Sequence, residues 1–353
     1  RRLIELLAES HMYEKAYELV QLFGYDYLGN TARVALCSYA ITEAGFEEDD
    51  FLVGFAQSTF LKGKYNDVIL IYLCKYAGSA TKVLAEIWKA AGEFEIDTFD
   101  LEERILTQML YTTEYTPYAE QIYENYYAGG GRDLVCMAYL SYFAHSYFTG
   151  DAVVPEHVFL QIKERYLEGQ ELNEACRLGL LKHLAYQGNL KEQEIHIADE
   201  LLDEYLGANI YFAFYRRFPR KLLLKYQLYD KYFLEYHGKP DAHIVAYYRM
   251  GDNAYESEEL TEMYDGIYVR EFILFFGEEV QYYITENGTA KDKVVESGCI
   301  TNNDVAGTES GGRYARMNDI LLQMTLQDGE QLAHQMKNYY GMRRVTEEVF
   351  KLL

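Results

Sequence analysis

The sequence predicts an α+β multidomain chain. A helical-repeat array, an α-solenoid, is expected over residues 1–207, a basic bridge at 208–231, and a small antiparallel β-sandwich-like module with closing helices at 232–353. Three observations carry that prediction. Up to about residue 207, apolar residues recur every three to four positions in blocks of roughly 12 to 17, separated by short breaks rich in Gly, Asp and Asn. Beyond residue 231 the apolar period becomes two. Charge changes at the same place: 34 acidic and 16 basic residues lie in 1–207, against 22 and 17 in 208–353.

Taken in order, the period-3.6 blocks place helices near 2–8, 11–23, 31–44, 49–62, 65–77, 79–91, 99–113, 116–127, 132–148, 154–168, 171–187 and 190–206. Asp49 and Asp50 can cap a helix start, Pro117 and Pro155 suit first-turn positions, and Gly63, Gly92 and Gly188 follow the last periodic residue. Helices of similar length joined by short turns suggest an array. Gly63-Lys64-Tyr65, with Ala56 before it and Tyr72 after it, resembles the inter-helix turn of tetratricopeptide repeats. Gly188-Asn189-Leu190 is similar, as is Tyr13-x-x-Ala16 followed by Val20. The resemblance implies a degenerate, tetratricopeptide-like array, because the phase slips between the two glycine turns and Trp88 is the only tryptophan.

The bridge holds Arg216, Arg217, Arg220, Lys221 and Lys225. It is expected to dock on the acidic array beside it. Strands are expected at 232–236, 243–250, 260–263, 268–276, 279–285 and 294–300. Gly277-Glu278 reads as a type II′ hairpin turn, which would set Phe275 opposite Val280, Ile273 opposite Tyr282, Leu274 opposite Gln281 and Phe272 opposite Tyr283. Residues 301–312 read as a polar excursion, followed by helices near 313–325, 328–340 and 345–351.

The second half also carries a family resemblance. Phe233-Leu234-Glu235-Tyr236, the run from Met263-Tyr264-Asp265-Gly266 through Gly277-Glu278, Gln281-Tyr282-Tyr283-Ile284, and Arg313-Tyr314-x-x-Met317-Asn318-Asp319 resemble the C-terminal region of a family of large bacterial proteins. That family comes from anaerobic Gram-positive organisms and is known only as a domain of unknown function. The resemblance implies helical repeats followed by a β-sandwich-like module, and supplies no catalytic residue.

Composition narrows the function. A net charge of −23 opposes a nucleic-acid or anionic-membrane surface, and no apolar run of about 18 residues can span a bilayer. The five cysteines are widely spaced with no Cys-x-x-Cys, and the eight histidines fall singly with no His-Glu-x-x-His, so neither metal nor cofactor is expected. Unpaired thiols favour a reducing, cytoplasmic setting. The chain opens on Arg1-Arg2-Leu3-Ile4 and reads as the C-terminal end of a longer polypeptide, whose N-terminal part is then one expected partner. Glu47-Glu48-Asp49-Asp50 reads as helix capping and Gly129-Gly130-Gly131-Arg132 as an inter-helix loop, rather than as cation and phosphate sites. No Gly-x-Ser-x-Gly frames a nucleophile.

Tyrosine, 36 residues of 353, is the strongest signal. Tyr111, Tyr115, Tyr118, Tyr123, Tyr126, Tyr127, Tyr139 and Tyr142 form a candidate protein-interaction surface. Tyr247, Tyr248, Tyr282 and Tyr283 form a candidate glycan face on the strands. The expected function is a non-catalytic protein–protein interaction or scaffold module with an unidentified protein partner. Binding of carbohydrate or cell-wall glycan by the β module is the alternative, and a glycan-processing enzyme built on paired carboxylates the third.

Overall fold

The structure is a computed structural model and describes residues 1–303, apart from 79, 113, 151, 230, 275–277 and 288–292. The expected closing helices, most of the polar excursion and the Gly277 turn residue lie outside the described residues. The chain forms two compact units, one running Arg1–Phe143 and one from Ala144 onward. The division falls inside a helix, whereas the charge step at 207 marks only the end of the long helices.

The first unit holds α1 (Arg2–Glu9), α2 (Tyr13–Phe23), α3 (Asn30–Glu43), α4 (Asp50–Leu61), α5 (Asp67–Tyr76), α6 (Thr81–Gly92), α7 (Phe99–Thr112), α8 (Ala119–Ala128) and the first turns of α9 (Asp133–Thr149). Helix starts follow the sequence chemistry. The Asp49 carboxylate accepts from the Leu52 N–H at 2.8 Å, and Asn66 caps α5 through the Ile69 N–H at 3.1 Å. Each helix packs on the next, and α1, α3, α5 and α7 also touch one another in succession. Helix pairs therefore stack along a row of first helices, burying Leu36, Ile41, Leu52, Phe55, Ile69 and Ile105 completely or nearly so.

The second unit continues with α10 (Glu156–Leu167), α11 (Glu174–Gln187), α12 (Glu192–Gly207), a 3₁₀ turn (Ala213–Arg217) and α13 (Arg220–Lys225). The buried Lys182 ammonium closes the C-terminus of α9 by donating to the carbonyls of Tyr147 at 2.9 Å, Phe148 at 3.1 Å and Gly150 at 3.3 Å. Phe148 packs edge-on against Phe212 at 4.9 Å and Tyr264 at 5.3 Å, and His145 meets Asp265 at 2.5 Å. These contacts place the end of α9 with the strands.

Among the described residues seven strands follow: β1 (Lys231–His237), β2 (Ile244–Met250), β3 (Glu256–Glu259), β4 (Thr261–Tyr264), β5 (Ile267–Ile273), β6 (Glu279–Glu286) and β7 (Val294–Thr301). They form two antiparallel sheets, ordered β1-β5-β4 and β3-β2-β6-β7. Tyr232, Leu234, Tyr236 and Phe272 of the first sheet share one buried core with Ile244, Ala246, Val280 and Ile284 of the second. The arrangement is a small sandwich.

The expected β5–β6 hairpin pairing is corrected. β5 pairs with β1, placing Phe272 opposite Tyr232 and Ile273 opposite Lys231, while β6 pairs with β2 and β7, placing Tyr282 opposite Tyr248 and Tyr283 opposite Tyr247. Consecutive strands here cross from one sheet to the other. Phe272 and Leu274 of the first strand and Val280, Tyr282 and Ile284 of the second face one shared core, while Ile273 and Tyr283 alternate to the other side.

Candidate functional site

The helical unit contains a groove of 450 Å³ between the α4–α5 turn and α6, lined by Phe60, Leu61, Tyr65, Val83 and the charged face of α6. Leu84, Ala85, Ile87 and Ala91 turn α6 into the array. Lys82, Glu86, Lys89 and Glu93 then fall along its other side, four, three and four residues apart, with alternating sign. The floor is aromatic: Phe60 and Tyr65 lie 5.1 Å apart, and Phe94, outside the groove, is 6.3 Å from Tyr65. Tyr118 borders the groove, its ring 5.3 Å from the Lys89 ammonium and its hydroxyl 3.5 Å from Glu86. That hydroxyl is the main reason the Lys89 pKa is raised.

The remaining expected interaction tyrosines divide. Tyr111 and Tyr127 are exposed, Tyr115, Tyr118 and Tyr142 half-buried, and Tyr123, Tyr126 and Tyr139 buried. Rings follow one another from Tyr127 to Tyr123 at 5.8 Å, Tyr139 at 3.7 Å and Phe143 at 4.8 Å, then through Tyr142 at 4.7 Å to Tyr115 at 4.8 Å. Most of this cluster is inter-helix packing. Tyr126 donates to Glu103 at 2.6 Å, accepts from the Arg132 N–H at 3.1 Å and stacks on Phe99 at 4.8 Å. A Cβ at Gly131 would lie 2.2 Å from its ring, so the glycine loop is a steric necessity of this packing.

The four strand tyrosines do not share a face. Tyr248 and Tyr282 pack against the sandwich core, whereas Tyr247 and Tyr283 stack with each other on the outer face, 4.7 Å apart and 5° from parallel. Gly298, opposite Tyr282, leaves room for that ring to cross β7 and donate to Glu296 at 3.0 Å. Sequence reasoning missed three neighbours of the outer pair: Tyr255, 5.4 Å from Tyr283, and the Arg249–Gln281 pair one rung along. Strict alternation outward from Val280 and Ile284 is the signal that could have found Gln281 and Tyr283 together.

The basic bridge is largely engaged within its own unit. Lys225 pairs with Asp199 at 2.7 Å and holds that carboxyl below the usual range, with Tyr226 donating to the same group at 2.7 Å. Arg217 lies over the Tyr186 ring at 4.1 Å and Arg220 over Tyr229 at 5.9 Å. Arg216 donates to the carbonyls of Leu228, Tyr229 and Lys231 at 3.2, 2.7 and 2.7 Å, and Lys221 is exposed. Asp199 belongs to the acidic helix α12, whereas Tyr186 belongs to α11, which carries one acid and two bases.

Three of the buried thiols are muted as nucleophiles. Burial pushes the thiols of Cys37, Cys74 and Cys176 up to about 12, which leaves them protonated at neutral pH. His237 pairs with Glu235 at 2.9 Å and His243 with Glu259 at 3.4 Å. Ser58 accepts from the buried Arg33 guanidinium at 3.1 Å. No described helix is long and apolar enough to cross a membrane.

Stacked helix pairs leading into a two-sheet β module define a mixed helical and β class of protein. The chain belongs to a family of unknown function, DUF5717, C-terminal, whose model matches residues 49–350. No curated protein and no solved structure matches the chain.

Proposed function

We propose that the chain is a non-catalytic protein-interaction or scaffold module, built on tetratricopeptide-like helix pairs. The observation that carries this reading is the groove on α6. It combines an aromatic floor with a stripe of alternating charge, which suits an extended or helical peptide that offers an apolar anchor and complementary charges.

The test is affinity capture from the native cytosol with the intact chain, compared with Tyr65→Ala and with Lys89→Glu. A specific protein captured by the intact chain and lost with both variants is the expected result. Capture that both variants leave unchanged would remove the groove from the proposal.

A further inference from the structure

Alternation along β2 and β6 sends Tyr248, Val280, Tyr282 and Ile284 toward the core and Tyr247, Arg249, Gln281 and Tyr283 to the opposite side of the four-stranded sheet. The Val245–Thr285 rung of that outer side is buried, so its accessible part begins at Tyr247 and Tyr283. There the register reads Ser257, Tyr247, Tyr283, Ser297 across the four strands. Two parallel rings stand between small residues. On the next rung Arg249 donates twice to the Gln281 carbonyl, at 3.0 and 2.7 Å, and Gln281 donates onward to Glu279 at 2.7 Å. Tyr255, 45% exposed, extends the aromatic surface and lies 5.1 Å below the Arg249 guanidinium.

The hydroxyls set this face apart. On the core side, Tyr248 donates to Glu258 at 3.3 Å, Tyr282 to Glu296 at 3.0 Å and Tyr236 to Glu286 at 3.0 Å. The hydroxyls of Tyr247, Tyr255 and Tyr283 make no hydrogen bond within the described residues. Three rings with open hydroxyls therefore adjoin a ladder of amide, guanidinium and carboxylate.

We infer that this outer face is a binding site for a neutral polysaccharide chain. The C–H face of a pyranose packs on an aromatic ring, and its hydroxyls both donate and accept, as do tyrosine, serine and glutamine side chains. The charge balance selects the same ligand. Arg249 and Glu279 offset each other locally, so the face presents no net positive charge to hold an anionic polymer. This site is separate from the α6 groove, and either can fail without the other.

Affinity electrophoresis of the intact chain through gels containing soluble β-glucan, xylan, mannan or starch tests the inference, with polygalacturonate as the anionic control. Retardation by at least one neutral polymer and none by polygalacturonate is expected. The double substitution Tyr247→Ala, Tyr283→Ala should weaken that retardation at least tenfold, and Tyr282→Phe should leave it unchanged. Tyr255→Ala, at an exposed position, should weaken it about threefold and keeps the test readable if the double variant does not fold. No retardation by any neutral polymer, or retardation that Tyr255→Ala and the double variant leave intact, overturns the inference. Protein capture that depends on Tyr65, found alongside a negative gel, would leave the scaffold reading standing and remove this one.

Discussion

In the helical unit tyrosines pack mainly ring on ring, Tyr127 through Tyr123 and Tyr139 toward Tyr142 and Tyr115, with Tyr126 also donating to Glu103. In the β sandwich the inward tyrosines reach across strands to a carboxylate, Tyr236 to Glu286 and Tyr282 to Glu296, while the outward ones leave their hydroxyls unengaged. The same residue type thus serves as core filler, as a partner for acids and as open surface. Ring count alone separates none of these roles; the surroundings of each ring do. The contrast also accounts for two compositional extremes at once, since pairing with tyrosine accommodates part of the acidic excess without calling on the 33 basic residues.

Two of those basic residues, one in each unit, play the same part, which provides the largest expected effect. Arg104 closes the end of α5 through the carbonyls of Cys74, Lys75 and Ala77, as Lys182 closes α9. Lys182→Met keeps the stem and leaves three carbonyls without their cation, and should cost about 3 kcal/mol. The unfolding transition of the second unit should fall while that of the first holds. A uniform drop in both would mean the two units do not differ in how they are stabilised.

The next effect belongs to the helical unit. Gly131→Ala puts a methyl into the Tyr126 ring, which cannot swing away because it is stacked on Phe99 and hydrogen-bonded to Glu103. The cost should be about 2 kcal/mol, seen as a drop of roughly 4–8 °C in the melting of that unit. Gly92→Ala, at the end of α6 where a Cβ meets nothing within 4 Å, is the control and should be neutral to slightly stabilising.

The helices were legible because each buries a stripe at three-to-four spacing, and all twelve long ones start and end within a few residues of where that stripe does. β3 was not legible. Glu256-Ser257-Glu258-Glu259 has no apolar residue, because an edge strand needs only backbone pairing on one side. Strand pairing failed for a different reason. A glycine at a turn reports local backbone preference, whereas the separation of β5 from β6 is decided by which core each strand completes. The candidate surfaces were only half legible. Tyr126 and Tyr127 are adjacent in sequence, yet one is fully buried and the other 64% exposed, a difference set by the helix packed against them.

A smaller effect tests the tyrosine contrast directly. Tyr282→Phe strands Glu296 beside an apolar ring and should cost about 1 kcal/mol. Tyr283→Phe removes a hydroxyl that has no partner and should cost nothing measurable in the same denaturation series. Equal losses would mean that the outer hydroxyl is engaged after all, and would weaken the case for an open ligand face.

The smallest effect is a pair of opposed pH slopes in the second unit. Burial lowers the His145 pKa despite Asp265, so its folded value lies below the unfolded one near 6.5. The unfolded chain then takes up the proton first, and stability falls as pH drops from about 6.5 through the folded value. The Glu235 carboxylate raises His237, so its contribution is complete below about 6.5 and is lost as pH rises through its folded value. Melting of the intact chain at pH 5.5, 6.5 and 7.5 should show His145→Gln flattening only the acid limb and His237→Gln only the alkaline one. If His237→Gln also flattened the acid limb, the histidine on β1 and the histidine on α9 would be titrating as one coupled site rather than as two independent contacts.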